Sequence, residues 1–238
     1  MKPIKQKLLL GFSLSDFGYF KNKKLDFLLK KLRQIAPGAK AVELSYHYSL
    51  KEILQNSRTL KKYGYRSFHL PKKGYASWVK NLNFHQAKLD LHALIMHPCD
   101  VAGWTSLKNS KIPILIENMD NHKKSFRLRA ELDGLLKKHE FNLCLDLNHL
   151  KTNGQNRQQW LKRFSQKIKQ IHLAGVDHDY YKSTAGISDM RHCLTLFDPG
   201  ILKNLTVKQY PVILEGVVPP NRWDLARQEF ELVAKHLK

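Results

Sequence analysis

Eight short apolar runs, separated by longer stretches, constrain this chain more than any other feature. The runs are LLLGFSL (8–14), AVELSY (41–46), RSFHLP (66–71), ALIMHP (93–98), IPILIEN (112–118), NLCLDL (142–147), IKQIHLAG (168–175) and YPVILEG (210–216). Between and after them lie LDFLLKKLRQIA (25–36), SLKEILQNSRTLKKYG (49–64), SFRLRAELDGLLKKH (125–139), NRQQWLKRFSQKI (156–168) and WDLARQEFELVAKHLK (223–238). In these segments apolar residues recur every three or four positions, the period of an amphipathic helix. Ser49 and Ser125 are candidate N-caps, Glu52 completes a capping box with Ser49, and Gly64 is a candidate helix stop. Residues 72–92 and 176–209 are mixed in pattern.

Eight buried strands with helices between them predict a parallel sheet closed into a single (β/α)8 barrel, a fold of typically ~250 residues. With 238 residues and no linker, repeat or low-complexity tract, one domain over 1–238 is expected. A doubly wound open sheet is the runner-up, but no glycine-rich phosphate loop follows an early strand.

Composition narrows the setting. No apolar run reaches the ~20 residues of a membrane span. The start, MKPIKQKLLLGFSLSDFGY, imitates a signal peptide, but Ser13, Ser15 and Asp16 interrupt it without a small-residue cleavage site. It reads as a first strand, so a cytoplasmic monomer is expected. Three cysteines with no CxxC pair fit a reducing compartment. Lys and Arg number 41 against 20 Asp and Glu, a net charge of +21 that favours an anionic partner, nucleic acid or a phosphorylated small molecule.

The strand ends carry the chemistry. In a barrel of this kind the active site forms at the carboxyl ends of the strands. Read in order, those ends offer His69 in FHLP, His97 in IMHP, Glu117 in LIEN, Asp146 and His149 in LDLNH, His172 in IHLAG and Glu215 in ILEG, and the second strand holds Glu43. Buried carboxylates converging at one mouth would repel unless something positive lay between them. A divalent cation meets that need, and mixed imidazole and carboxylate donors suit Zn²⁺, Mn²⁺ or Fe²⁺ better than Mg²⁺ or Ca²⁺. Asp177, His178 and Asp179 are rival ligands read as surface loop, and no nucleophile motif of a covalent hydrolase is present.

These residues resemble the xylose isomerase-like TIM barrels, and within them the AP endonuclease family 2, the endonuclease IV type. The resemblance spans nearly the whole chain. Both branches share a Glu, Asp, His, Glu quartet, matched here by Glu117, Asp146, His172 and Glu215. The endonuclease branch adds histidines matched by His69, His97 and His149, and an Asp and His matched by Asp189 and His192 in SDMRHC. Met190 and Arg191 stand between that last pair where the family has one residue, and LTLFDPG replaces its glycines.

The resemblance implies a metal-dependent phosphodiester hydrolase holding two or three divalent ions, zinc foremost. Glu117 and Glu215 would be the bridging, catalytic carboxylates, and DNA with abasic sites the substrate. His69 and His97 would complete one flank, and His149, Asp189 and His192 the other. The segment PKKGYASWVKNLN (71–83) interleaves Lys72, Lys73 and Lys80 with Tyr75 and Trp78, a mixture suited to phosphate contact and base stacking. The alternative is a sugar or sugar-phosphate isomerase or epimerase, which needs the quartet and one ion.

Overall fold

The structure is a computed structural model that describes residues 8–15, 17, 24–176 and 192–237. All eight apolar runs form strands: β1 (Leu10–Ser13), β2 (Ala41–Ser45), β3 (Tyr65–His69), β4 (Ala93–Met96), β5 (Ile114–Glu117), β6 (Asn142–Asp146), β7 (Ile168–Leu173) and β8 (Val212–Leu214). Each pairs in parallel with the next, and β1 pairs with β8, closing a (β/α)8 barrel. Helices α1 (Leu25–Ile35), α2 (Leu50–Gln55), α3 (Ser57–Leu60), α4 (Tyr75–Phe84), α5 (Gln86–Leu89), α6 (Thr105–Lys108), α7 (Arg129–His139), α8 (Leu147–Thr152), α9 (Arg157–Arg163) and α10 (Trp223–His236) lie between and after the strands. Among the described residues no helix is long and apolar enough to cross a membrane.

The strand period of two sorts the side chains into two cores. Val42, Leu44, Phe68, Leu94, Met96, Ile116, Leu143, Leu145, Ile171 and Leu214 face the helices and join the large outer core. Their neighbours Ala41, Tyr65, Ala93, Ile95, Leu115, Cys144 and Ile213 fill the barrel interior. Continuing each inward row by two residues reaches His97, Glu117, Asp146 and Glu215. The same alternation that buries leucine outside therefore aims acidic and imidazole groups into the mouth.

One glycine is required by closure. At Gly11 a Cβ would fall 1.7 Å from the Ala41 carbonyl oxygen, so β1 can lie against β2 only without a side chain there.

Three local expectations change and one holds. The 49–64 pattern is broken at Asn56, whose side-chain amide donates to the Glu52 carbonyl between α2 and α3. Ser49 does cap α2, with the reciprocal Glu52 bond of a capping box. Ser125 caps nothing: α7 starts at Arg129, after Phe126 turns to φ 60°, and the Glu131 carboxylate accepts from the Arg127 and Leu128 amides instead. Gly64 stops no helix, since α3 ends at Leu60; its place is set by packing, with Leu9 and the Lys40 carbonyl 3.3 and 3.5 Å from where a Cβ would stand.

Candidate metal centre

Three groups of donor atoms, each drawn within 4.8 Å, meet at the mouth: His69, His97 and Glu117; Glu117, Asp146, His172 and Glu215; and Asp146, His149 and His192. Eight of the nine residues expected as ligands thus share one site. Asp189 lies outside the described residues, as do Asp177, His178 and Asp179. The carboxylates common to two groups are Glu117 and Asp146. Glu215 belongs to the quartet, and its Oε2 also lies 4.0 Å from His192 Nδ1.

Glu117 is nearly fully buried. Its Oε2 lies 3.2 Å from His69 Nε2 and 3.0 Å from His97 Nε2, and its Oε1 lies 3.0 Å from His172 Nδ1. His172 Nδ1 is also 3.1 Å from Glu215 Oε2. Asp146 is the N-cap of α8, with Oδ1 accepting from the His149 amide at 2.9 Å. His149 therefore sits in the first turn of a helix, not on a loop, which explains its spacing of three from the aspartate. Its Nδ1 donates to the Asn118 carbonyl at 2.7 Å, so its Nε2 carries a lone pair, and that atom faces His192 Nε2 at 3.3 Å. Asn118 also locks the end of β6, donating to the Asp146 carbonyl at 3.0 Å and accepting from its amide at 2.7 Å.

The electrostatics call for positive charge. Burial opposes charge on His172, yet Cys144 and the carboxylates of Glu215, Glu43 and Glu117 outweigh it and hold its pKa well above the ordinary imidazole value. Burial likewise opposes charge on His97, but Glu117 and Asp100 push its pKa up to about 10. Burial raises Glu215, whereas in Glu117 burial is outweighed by His172 and His97, which hold its pKa well below the carboxylate norm. A divalent cation supplies the same positive charge without relying on protons.

The residues fit such an ion. Asp146 Oδ2 is buried and accepts no hydrogen bond, a costly state for a carboxylate oxygen. It faces inward between two of the donor groups, and the imidazole and carboxylate donors around it are those of zinc, manganese or iron sites.

Four contributors stand beyond the expected ligands. Asp100 pairs with His97 Nδ1 at 3.5 Å, and Asn118, Gln170 and Glu43 orient ligands from behind. Asp100 follows His97 by three, Asn118 follows Glu117 directly, and Gln170 precedes His172 by two on the same strand face. Those offsets were the signal for the first three, and for Glu43 it was its place in the second strand. Cys144 is buried, whereas Cys99 is exposed.

In the segment expected to contact nucleic acid, residues 75–84 form α4, which buries Tyr75, Val79 and Leu82. The Tyr75 hydroxyl donates to the Gly103 carbonyl and accepts from its amide, both at 3.0 Å. Trp78 is half-buried, its ring centroid 4.9 Å from that of Phe68. Tyr75 belongs to the outer core, and Trp78 packs against it while staying partly exposed. Lys72, Lys73 and Lys80 are exposed, and Lys72 Nζ lies 3.6 Å from Asp100. Lys72 also helps to line a 360 Å³ cavity over the donor groups, with Ser15, Ser45 and Tyr46 on its far wall.

No protein-family model matches the chain, and no curated protein matches it. Solved structures do match its shape. A xylose isomerase domain containing protein from Salmonella typhimurium is 14% identical, with 97% of this chain and 96% of that one covered and a TM-score of 0.62. A probable 3-DHS dehydratase, AsbF, from Bacillus anthracis is 11% identical over 94% and 98%, with a TM-score of 0.66. D-psicose 3-epimerase from Clostridium cellulolyticum, solved with D-tagatose, is 10% identical over 96% and 98%, with a TM-score of 0.63. Across nearly its whole length, the chain shares the (β/α)8 barrel fold of these structures.

Proposed function

We propose that this chain is a divalent-metal-dependent isomerase or epimerase of a sugar or sugar phosphate. One observation carries the reading: Glu117, Asp146, His172 and Glu215 converge, and two of them, Glu117 and Glu215, line a cavity of 360 Å³. That volume suits a small molecule. A cation held by the quartet would polarise adjacent carbonyl and hydroxyl oxygens of the substrate. Glu117 and Glu215 flank His172 and can act as base and acid, one removing the proton from the carbon beside the carbonyl and the other returning one. The return site decides the product: the opposite face of the same carbon gives an epimer, the neighbouring carbon an isomer. The epimerase and isomerase-domain structures of the same fold support this reading over the hydrolase, as does the packing of Tyr75 and Trp78 into the protein.

The test is to incubate the metal-loaded chain with ketoses, aldoses and their phosphates in D₂O and follow the carbon-bound hydrogens by NMR. Deuterium entering beside the carbonyl of at least one substrate is expected, with Glu215→Gln slowing entry by about 10²-fold or more. No exchange in any of them would overturn the reading.

A second reading keeps the phosphodiester hydrolase, and one observation favours it. The groups containing His69 with His97, and His149 with His192, adjoin the quartet and offer more cation positions than proton transfer requires. Two or three ions per chain by elemental analysis, together with cleavage of abasic-site DNA, would establish it over the isomerase.

A further inference from the structure

The barrel interior just below the quartet is polar where this fold usually stacks branched apolar side chains. Glu43 on β2 is fully buried there. Its Oε2 accepts from Ser67 Oγ at 2.9 Å and from the Gln170 amide at 2.7 Å, and lies 3.1 Å from His172 Nε2. An isolated carboxylate at such a place would be prohibitively costly, and the convergence of donors is what sustains it.

His172 has two ring nitrogens that face opposite ways. Nδ1 looks up to Glu117 and Glu215, at 3.0 and 3.1 Å, and Nε2 looks down to Glu43. Only one arrangement of a neutral ring presents a lone pair upward: the hydrogen must sit on Nε2, and something must accept it. The Gln170 amide nitrogen, 2.7 Å from Nε2, is a donor and would favour the opposite tautomer. One of its two hydrogens goes to the charged oxygen of Glu43, a stronger acceptor than a ring nitrogen, and that oxygen, 3.1 Å from Nε2, is also able to take Nε2–H.

We propose that Glu43 is the positioning residue of the metal centre: by accepting Nε2–H of His172 it commits Nδ1 to the cation, while Ser67 and Gln170 hold the carboxylate in place. The proposal rests on the metal-binding part of the proposed function and not on the reaction. Glu43 touches no reacting atom; it acts through the ring.

The experiment uses the full chain, stripped of metal and titrated with Zn²⁺ or Co²⁺ against a chromophoric chelator. Glu43→Gln keeps the volume but can take Nε2–H only by turning its amide, so affinity at the quartet should fall about 10–100-fold. The visible spectrum of bound Co²⁺ should change in the same variant, a readout that loss of packing alone would not give. Ser67→Ala, which removes one donor to Glu43, should weaken binding by less. Thermal unfolding of each metal-free variant identifies folded protein, and Glu43→Gln serves as the decisive variant should Glu43→Ala fail to fold. If the unaltered chain binds no cation, the metal reading and the proposal fall together. If it binds and Glu43→Gln matches it in affinity and Co²⁺ spectrum, the proposal alone is overturned.

Discussion

Asp146 divides one carboxylate between two tasks. Oδ1 caps α8 through the His149 amide, and Oδ2, buried and without a hydrogen bond, is turned toward the cation positions. Asparagine can also cap a helix but brings no negative charge. Asp146→Asn should therefore lower zinc affinity by roughly 100-fold or more, beyond the loss typical of an outer-shell partner. In chelator, where no ion offsets the crowding of Asp146 with Glu117 and Glu215, the variant should unfold within about 1 kcal/mol of the unaltered chain. Urea unfolding with and without zinc separates the two effects, and an unchanged zinc affinity would remove Asp146 from the ligand set.

At the level of elements, two contacts hold the site from outside. Glu229 on α10 is fully buried and accepts from the Thr195 amide and hydroxyl, both at 2.8 Å, and from the Leu196 amide at 3.0 Å. It thus pins the short turn that follows His192 and Cys193. Glu229→Ala strands three donors and should cost roughly 2–4 kcal/mol of stability. It should also weaken the cation position that uses His192 more than the quartet. A loss below about 0.5 kcal/mol, the range of ordinary surface changes, would count against that anchoring role. The second contact is α4 on the barrel. Trp78→Ala should cost roughly 2–4 kcal/mol through lost packing on Phe68, and leave any affinity for single-stranded oligonucleotide within about twofold. Loss of oligonucleotide binding in a variant of unchanged stability would return Trp78 to a stacking role.

For the whole molecule, the metal is expected to be part of the stability. An ion that binds only the folded barrel adds RT ln(1 + [L]/Kd), about 2.7 kcal/mol at a hundredfold excess over Kd. Chelation should lower the unfolding midpoint measured by calorimetry, and added zinc should restore it. Equal midpoints with chelator and with saturating zinc would mean that no ion is held by the folded state. The net charge of +21 is a separate matter. Its basic residues are scattered along the chain, and Lys72, Lys73 and Lys80 are exposed whatever the substrate proves to be.

Much of this was legible in the chain itself. The eight strands follow from local apolar runs, and the ligands at their ends follow from the period of two, because a strand's own pleat sends Leu115 and Glu117, or Cys144 and Asp146, to the same side. Such features depend on neighbours two residues away. The remainder depends on closure. Glu43 and His172 meet across the barrel from β2 and β7, 129 residues apart, so nothing local could join them. The same holds for Asp146 as a carboxylate common to two donor groups, which is set by which strands stand side by side. That Tyr75 and Trp78 pack on the core was not legible either, because the barrel wall that receives α4 exists only once the strands have closed.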